Sequence, residues 1–287
     1  MPPTRKTRIV LISDTHNQTP KLPPGDILIH AGDLTNQGSY DELQRTVEWL
    51  ERSEFEAKVI IAGNHDLTLS PTFMSSPASE RFKWPSPQDP ALCRQLLLAS
   101  PSITYLEHEA ATVYLPKRKT ALRIFGSPYT PGRRGWAFQY WGEDEAEKIW
   151  GEEGMESVDV VVTHGPGYGN VDETEEGERA GCNVLARRVK ETRPMLHVCG
   201  HIHAGRGVER VIWGDDGEED GTDKAWVDPG LGNKKLSLLD LTERRNEIVM
   251  INAAFLGPRA SNNKAYTFNK PIVVDVELPV YEFEGDS

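Results

Sequence analysis

Six short apolar runs, each succeeded at once by polar residues, constrain this chain more than any other feature: residues 8–12, 26–29, 58–62, 121–125, 158–162 and 195–198. Within them Val, Ile and Leu follow one another rather than alternating with polar residues, the pattern of strands covered on both faces. Between the second and third runs, Tyr40, Leu43, Val47 and Leu50 keep helical spacing, and Ser39 with Glu42 has the form of a capping box. The unit reads as strand-helix-strand. A second helix is predicted over residues 178–190, where Cys182, Leu185 and Val189 share a face and Pro194 comes soon after. The runs at 235–241, 248–254 and 271–278 read as further strands with no helix between them. This is more strand than one sheet needs, so the expectation is an α/β protein with two packed sheets. Three acidic, glycine-rich stretches, 142–154, 172–177 and 215–223, read as solvated loops.

The 287 residues are enough for two average domains, and one domain over 1–287 with elaborate loops is preferred. A formal net charge of −12 argues against a broad basic surface for long nucleic acids, whose phosphates require Lys and Arg. Cys93, Cys182 and Cys199 are odd in number and lack CxxC spacing, so neither a disulfide framework nor a thiolate zinc site is expected. The first apolar run is too short for a signal sequence or a membrane span. A cytoplasmic protein without a membrane partner is the expectation.

The polar residues that close these runs are distinctive. The first run ends in Ser13-Asp14-Thr15-His16, the second in Gly32-Asp33, the third in Gly63-Asn64-His65-Asp66, and two later ones in Thr163-His164-Gly165 and Gly200-His201-Ile202-His203. In α/β sheets the carboxyl ends of strands converge on one edge, where ligands bind. Imidazoles, carboxylates and an amide oxygen without a thiolate suit Mn²⁺, Fe²⁺, Zn²⁺ or Mg²⁺. Asp14, His16, Asp33, Asn64, His164, His201 and His203 are too many for one four-coordinate ion but suit two ions sharing a carboxylate, with Asp33 as the bridge. His30 and His197 lie inside apolar runs and read as structural, His30 close enough to Asp33 to support it. His108 opens HEAAT, which lacks the second histidine of a zincin helix.

In PGRRGWAFQYW, residues 131–141, Arg133, Arg134, Trp136 and Phe138 are candidates for a substrate wall, aromatics stacking a nucleobase or aryl group and an arginine pairing phosphate. An ordinary hydrophobic surface staple is the competing account. Lys117-Arg118-Lys119 reads as a basic hairpin tip, and Gly165, Gly167 and Gly169 as a tight loop beside the metals.

The ordered set DxH, GD, GNHD, H and GHIH over residues 8–203 resembles the calcineurin-like metallophosphoesterase superfamily, without a missing ligand. "DILIHAGD", "THGPG", "RPMLHVCGHIH" and "NKPIVVDVELP" further resemble its metallophosphoesterase-domain-containing group. The resemblance implies an αββα sandwich with two metals at the sheet edge. It implies that Asp14, His16, Asp33 and His203 hold one ion, and Asp33, Asn64, His164 and His201 the other. His65 would stand beside them and act on the phosphate or the leaving oxygen, with Asp66 orienting its imidazole. The presence of His201 favours activity. The function expected is a dinuclear phosphodiesterase acting on small phosphodiesters such as cyclic nucleotides, manganese being the first choice of metal, by attack of a metal-bridging hydroxide. A non-catalytic scaffold on the same fold and a phosphomonoesterase are the alternatives.

Overall fold

The computed structural model describes residues 3–133, 135–151, 154–214, 216–224, 226–230, 234–243, 246–259 and 266–281. Its strands are β1 (Thr4–Ile12), β2 (Ile27–Ala31), β3 (Ala57–Ile61), β4 (Ile103–Leu106), β5 (Glu109–Leu115), β6 (Thr120–Ser127), β7 (Thr130–Pro131), β8 (Gln139–Tyr140), β9 (Val160–Thr163), β10 (Leu196–Cys199), β11 (Gly207–Trp213), β12 (Glu219–Asp223), β13 (Ser237–Leu241), β14 (Glu247–Asn252), β15 (Leu256–Arg259), β16 (Tyr266–Phe268) and β17 (Ile272–Pro279). Among the described residues five α-helices are interspersed: α1 (Tyr40–Glu51), α2 (Pro71–Met74), α3 (Pro90–Leu98), α4 (Glu143–Trp150) and α5 (Asn183–Thr192).

Two large mixed sheets result. One runs β13-β17-β1-β2-β3-β4 and the other β12-β11-β14-β10-β9-β6-β5. The chain from β1 through β4 pairs in parallel, as do β6, β9, β10 and β14, while β17 lies antiparallel to β1 and β11 antiparallel to β14. Side chains alternate across a strand, and here both faces are apolar. Ile9, Leu11, Ile29 and Val59 meet Ile124, Val160, Val198 and Ile251 in the layer between the sheets. Their neighbours Val10, Ile12, Leu28 and Ile60 pack outward against Leu43, Val47 and Leu50 of α1 and Cys93 and Leu97 of α3. On the far side Val161, Cys199, Ile248 and Met250 pack against Trp150 of α4 and Leu185 and Val189 of α5. These four layers are the expected αββα sandwich. No helix among the described residues is long and apolar enough to cross a membrane.

The α1 cap is built as anticipated, Ser39 accepting from the Glu42 amide while Glu42 accepts from the Ser39 amide. Three expectations require correction. The second helix begins at Asn183 rather than residue 178, because residues 179–181 are drawn aside: the buried Asp172 carboxylate accepts from Arg179 and from the Gly169 and Gly181 amides. Residues 143–150 are a helix, not a loop: Glu143, Asp144 and Glu145 sit at the positive end of its dipole, while Ala146 and Trp150 are buried. Within 215–223, β12 is an edge strand on β11. The edge strands β4 and β5, the interior strand β11, and the hairpin β15–β16 were not anticipated.

Candidate metal centre

Every candidate donor lies just past the carboxyl end of a strand, Asp14 and His16 after β1, Asp33 after β2, Asn64 after β3, His164 after β9, and His201 and His203 after β10. The two sheets are joined there directly. Ser13 bridges to Ala254, and the His201 amide donates to both Asp14 carboxylate oxygens at 3.0 and 3.1 Å. Asp14, His16, Asp33 and His201 have φ between 43° and 65°, a region non-glycine residues seldom occupy and that clusters at functional sites.

Among the described residues three donor groups form: Asp14, His16 and His203; His16, Asp33 and His65; and Asp33, His164 and His201, the candidate ligand atoms of each lying within 4.8 Å of one another. Asp33 belongs to two of them. Its Oδ2 is 3.6 Å from His16 Nε2 and its Oδ1 is 3.4 Å from His164 Nε2. Asn64 Oδ1 is 3.0 Å from His164 Nε2, and His203 Nε2 is 3.3 Å from Asp14 Oδ1. All seven predicted ligands are thus gathered in one place. His164 Nδ1 donates to the Ala31 carbonyl at 2.9 Å, which aims Nε2 inward.

These residues fit a pair of divalent ions. His16 Nε2 is buried without a hydrogen-bond partner, a cost that a cation would remove. Glycine is required around the carboxylates: a Cβ on Gly200 would lie 2.2 Å from Asp14 Oδ2, and one on Gly63 would lie 2.3 Å from Asp33 Oδ1. The donor set is nitrogen and oxygen, and Cys199 belongs to none of the three groups.

Electrostatics keep the carboxylate donors ionised. Burial works against the Asp14 carboxylate, but the hydrogen bond and charge of His203 prevail and hold it at about 2. Asp33 lies well below the usual carboxylate range for the same reason, His164 outweighing burial. Burial likewise opposes protonation of His164, yet Asp33 raises it to about 9. Burial drives His201 down to about 4, so it is a neutral ligand at pH 7. A metal entering this cluster displaces a proton shared between carboxylate and imidazole.

His65 stands at the rim, its ring 4.7 Å from that of His16 and 4.1 Å from that of Trp136. Its amide donates to Asp33 Oδ1, and its Nδ1 is 2.9 Å from the Asn36 carbonyl. A carbonyl only accepts, so Nδ1 carries the hydrogen and Nε2 is the working nitrogen. The expectation that Asp66 orients this ring is corrected. Asp66 is fully buried and accepts from Gly63 N, Leu34 N, Thr35 N and Thr35 Oγ1, tying the loop after β3 to the loop after β2. Burial, together with the charge of Asp33, pushes its carboxyl up to about 6.

Among the described residues of the proposed substrate wall, Trp136 alone reaches the donors, and it does so through His65, backed by Phe82 at 4.9 Å. Phe138 is buried against Tyr129. Arg133 lies 5.6 Å over the exposed Trp141. Arg134 lies outside the described residues. His30 and His197 are buried and bonded to Thr15 and Thr163, and His108 bonds Ser127, as structural histidines do. The basic tract is the β5–β6 turn, where Arg118 pairs Asp26.

The donors open into a cavity of about 440 Å³. Gln18 and Asn36 line it, as do Leu256, Tyr266 and Phe268 from a hairpin the sequence did not reveal. Also missed was Asn252, fully buried at the end of β14, whose amide donates to the Val171, Gly200 and Ile202 carbonyls and so fixes the loop carrying His201 and His203. A polar residue closing an otherwise apolar run was the available signal.

Comparison with known proteins agrees with this geometry. The family model described as calcineurin-like phosphoesterase matches residues 7–205. The chain is 39% identical over 219 residues to metallophosphoesterase domain-containing protein 1 of Homo sapiens and of Mus musculus, covering 72% of this chain and 63% of each relative. It is 40% identical over 208 residues to a protein of Emericella nidulans named probable rhamnogalacturonate lyase C, covering 72% of this chain but 18% of that one. The chain therefore spans less than two thirds of these relatives' lengths. Among solved structures, phosphopantetheinyl hydrolase from Mycobacterium tuberculosis superposes with TM-score 0.48 at 15% identity, over 92% of this chain and 95% of that chain. With its motif set complete and its matched region holding every donor of the site, the chain belongs to the calcineurin-like phosphoesterase family.

Proposed function

We propose that the chain is a dinuclear metal-dependent phosphodiesterase acting on small phosphodiesters such as cyclic nucleotides. The observation that carries the reading is the placement of the Asp33 carboxylate between two donor groups, with His65 at the mouth of the cavity they share. Asp14, His16, Asp33 and His203 would hold one ion, and Asp33, Asn64, His164 and His201 the other. When bound, two divalent ions supply Lewis acidity and positive charge for a phosphate and its attacking water. Manganese is our first choice among the several divalent ions that nitrogen and oxygen donors accept.

The chain's own groups do the rest. Asp14 and Asp33, held ionised, offset part of the metal charge and leave the cavity positive, which favours an anionic phosphoester in an acidic protein. His65, its Nδ1–H anchored on Asn36, presents Nε2 to the cavity. Protonated there, it hydrogen-bonds a phosphate oxygen and delivers a proton to the departing alkoxide. Small substrates are favoured over long nucleic acids by the net charge of −12.

The test is hydrolysis of bis-p-nitrophenyl phosphate with added Mn²⁺, then a panel of 2′,3′-cyclic and 3′,5′-cyclic nucleotides and monoesters. Turnover of diesters above monoesters is expected. Absence of both turnover and bound transition metal would favour a scaffold.

A further inference from the structure

The wall formed by β15 and β16 has no role in holding metal, yet it faces the donors. Leu256 pairs directly with Phe268, and Tyr266 lies two residues before Phe268, hence on the same face of the hairpin. All three line the cavity that contains His16 and His203. None carries a charge. Phe268 is backed by Phe255 at 5.3 Å, so its ring is supported from behind.

The hairpin is also pinned in register with the metal donors. The Phe255 amide donates to the Ser13 carbonyl and the Leu256 amide to the Asp14 carbonyl. Arg206, immediately after the turn His203–Gly205, donates to the Ala254 carbonyl at 3.3 Å and the Lys270 carbonyl at 2.9 Å, one at each end of the hairpin segment, and pairs Asp228 at 2.6 Å. Asn269 closes the base by donating to the Ala254 carbonyl. The wall thus stands at a set distance from the donors.

We propose that this face is the subsite for the organic group of the phosphoester, and that the group is a flat aromatic one, an aryl ring or a nucleobase. The inference rests on the phosphoesterase reading for the position of the phosphate and adds the identity of what the phosphate carries. A phosphate held among the donors leaves Tyr266 and the partly buried Phe268 in contact with water. A ring attached to it covers them, and aromatic stacking tolerates any base because each has a π-face. A cavity of about 440 Å³ admits a group of that size.

The experiment uses two non-hydrolysable probes, phenylphosphonate and methylphosphonate, titrated calorimetrically into the Mn²⁺-loaded protein. The native protein is expected to bind phenylphosphonate roughly tenfold more tightly, within the range observed for one stacked ring. Phe268→Ala should abolish the preference and leave methylphosphonate affinity unchanged, whereas Phe268→Tyr should keep it. Tyr266→Ala, at a position 44% exposed, provides a second variant with little risk to folding and should reduce the preference. Equal binding of both probes by the native protein, or a preference that survives Phe268→Ala and Tyr266→Ala, overturns the subsite while leaving the phosphoesterase reading intact. Binding of neither probe overturns both.

Discussion

Replacing Asp66 by Asn separates support of the site from its chemistry. The carboxylate is fully buried and takes four donors, Gly63 N at 2.8 Å and Leu34 N at 3.1 Å on Oδ2, Thr35 N at 2.9 Å and Thr35 Oγ1 at 2.7 Å on Oδ1. An amide cannot accept on both sides. If its nitrogen faces Gly63 and Leu34, two buried N–H groups lose their acceptor; if it faces Thr35, the hydroxyl can turn to accept but the Thr35 N–H is orphaned. At roughly 1–3 kcal/mol for each orphaned group the second orientation is the cheaper, so the variant should lose about 1–3 kcal/mol, a large part of a typical 5–15 kcal/mol. With an unfolding entropy of about 2.1 cal/mol/K per residue, a 3 kcal/mol loss over this chain lowers the melting temperature by about 5 °C. The assay is guanidinium unfolding of the chelator-treated protein at pH 8, where the native carboxylate is ionised, with metal content measured separately on untreated protein. The loop carrying Asn64 should loosen, so bound metal should fall with stability. A stability loss under about 0.5 kcal/mol accompanied by a hundredfold fall in kcat would refute the reasoning and return Asp66 to the chemistry.

Other changes test the remaining parts of the site. His65→Ala should cost about 10²–10⁴-fold in kcat with metal content unchanged; the loss should be smaller for a p-nitrophenolate leaving group, which departs with little protonation, and equal losses on aryl and alkyl esters would assign His65 to charge stabilisation alone. Asp33→Ala should release at least one ion on metal analysis, and retention of two tight metals would mean that another residue bridges. Trp136→Ala, removing the ring 4.1 Å from His65, should lower kcat about tenfold to a hundredfold with little change in KM; a raised KM at constant kcat would restore Trp136 to the substrate wall. Burial holds His197 down to about 4. Because the unfolded chain takes up that proton near pH 6.5, stability should be intact above pH 6.5 and fall by about 3 kcal/mol as the pH drops to 4. Denaturant midpoints of native protein and His197→Gln across that window should converge at acid pH; parallel curves would show that His197 does not titrate as described.

Most of the strands, the four layers and the metal donors were legible in the order of the residues. Continuous apolar runs dictate strands buried on both faces, and a donor placed one to four residues past such a run is carried to the sheet edge by chain connectivity alone, as for Asp14, Asp33 and His201. The α1 cap was equally legible, because Ser39 and Glu42 satisfy each other within one turn. Contacts between distant segments emerge only once the chain is folded. Asn36, not the adjacent Asp66, anchors His65, because the loops after β2 and β3 are laid side by side and the Asp66 carboxylate is taken up by their amides. Trp136 stacks on His65 while Phe138, two residues on, is buried, a distinction that composition of the loop cannot carry. The hairpin facing the donors is short, and its strands hold no apolar run of their own. Its Leu256, Tyr266 and Phe268 become a wall only because Arg206 and the loop after β1 hold it there through backbone carbonyls, which every residue possesses and no sequence pattern marks.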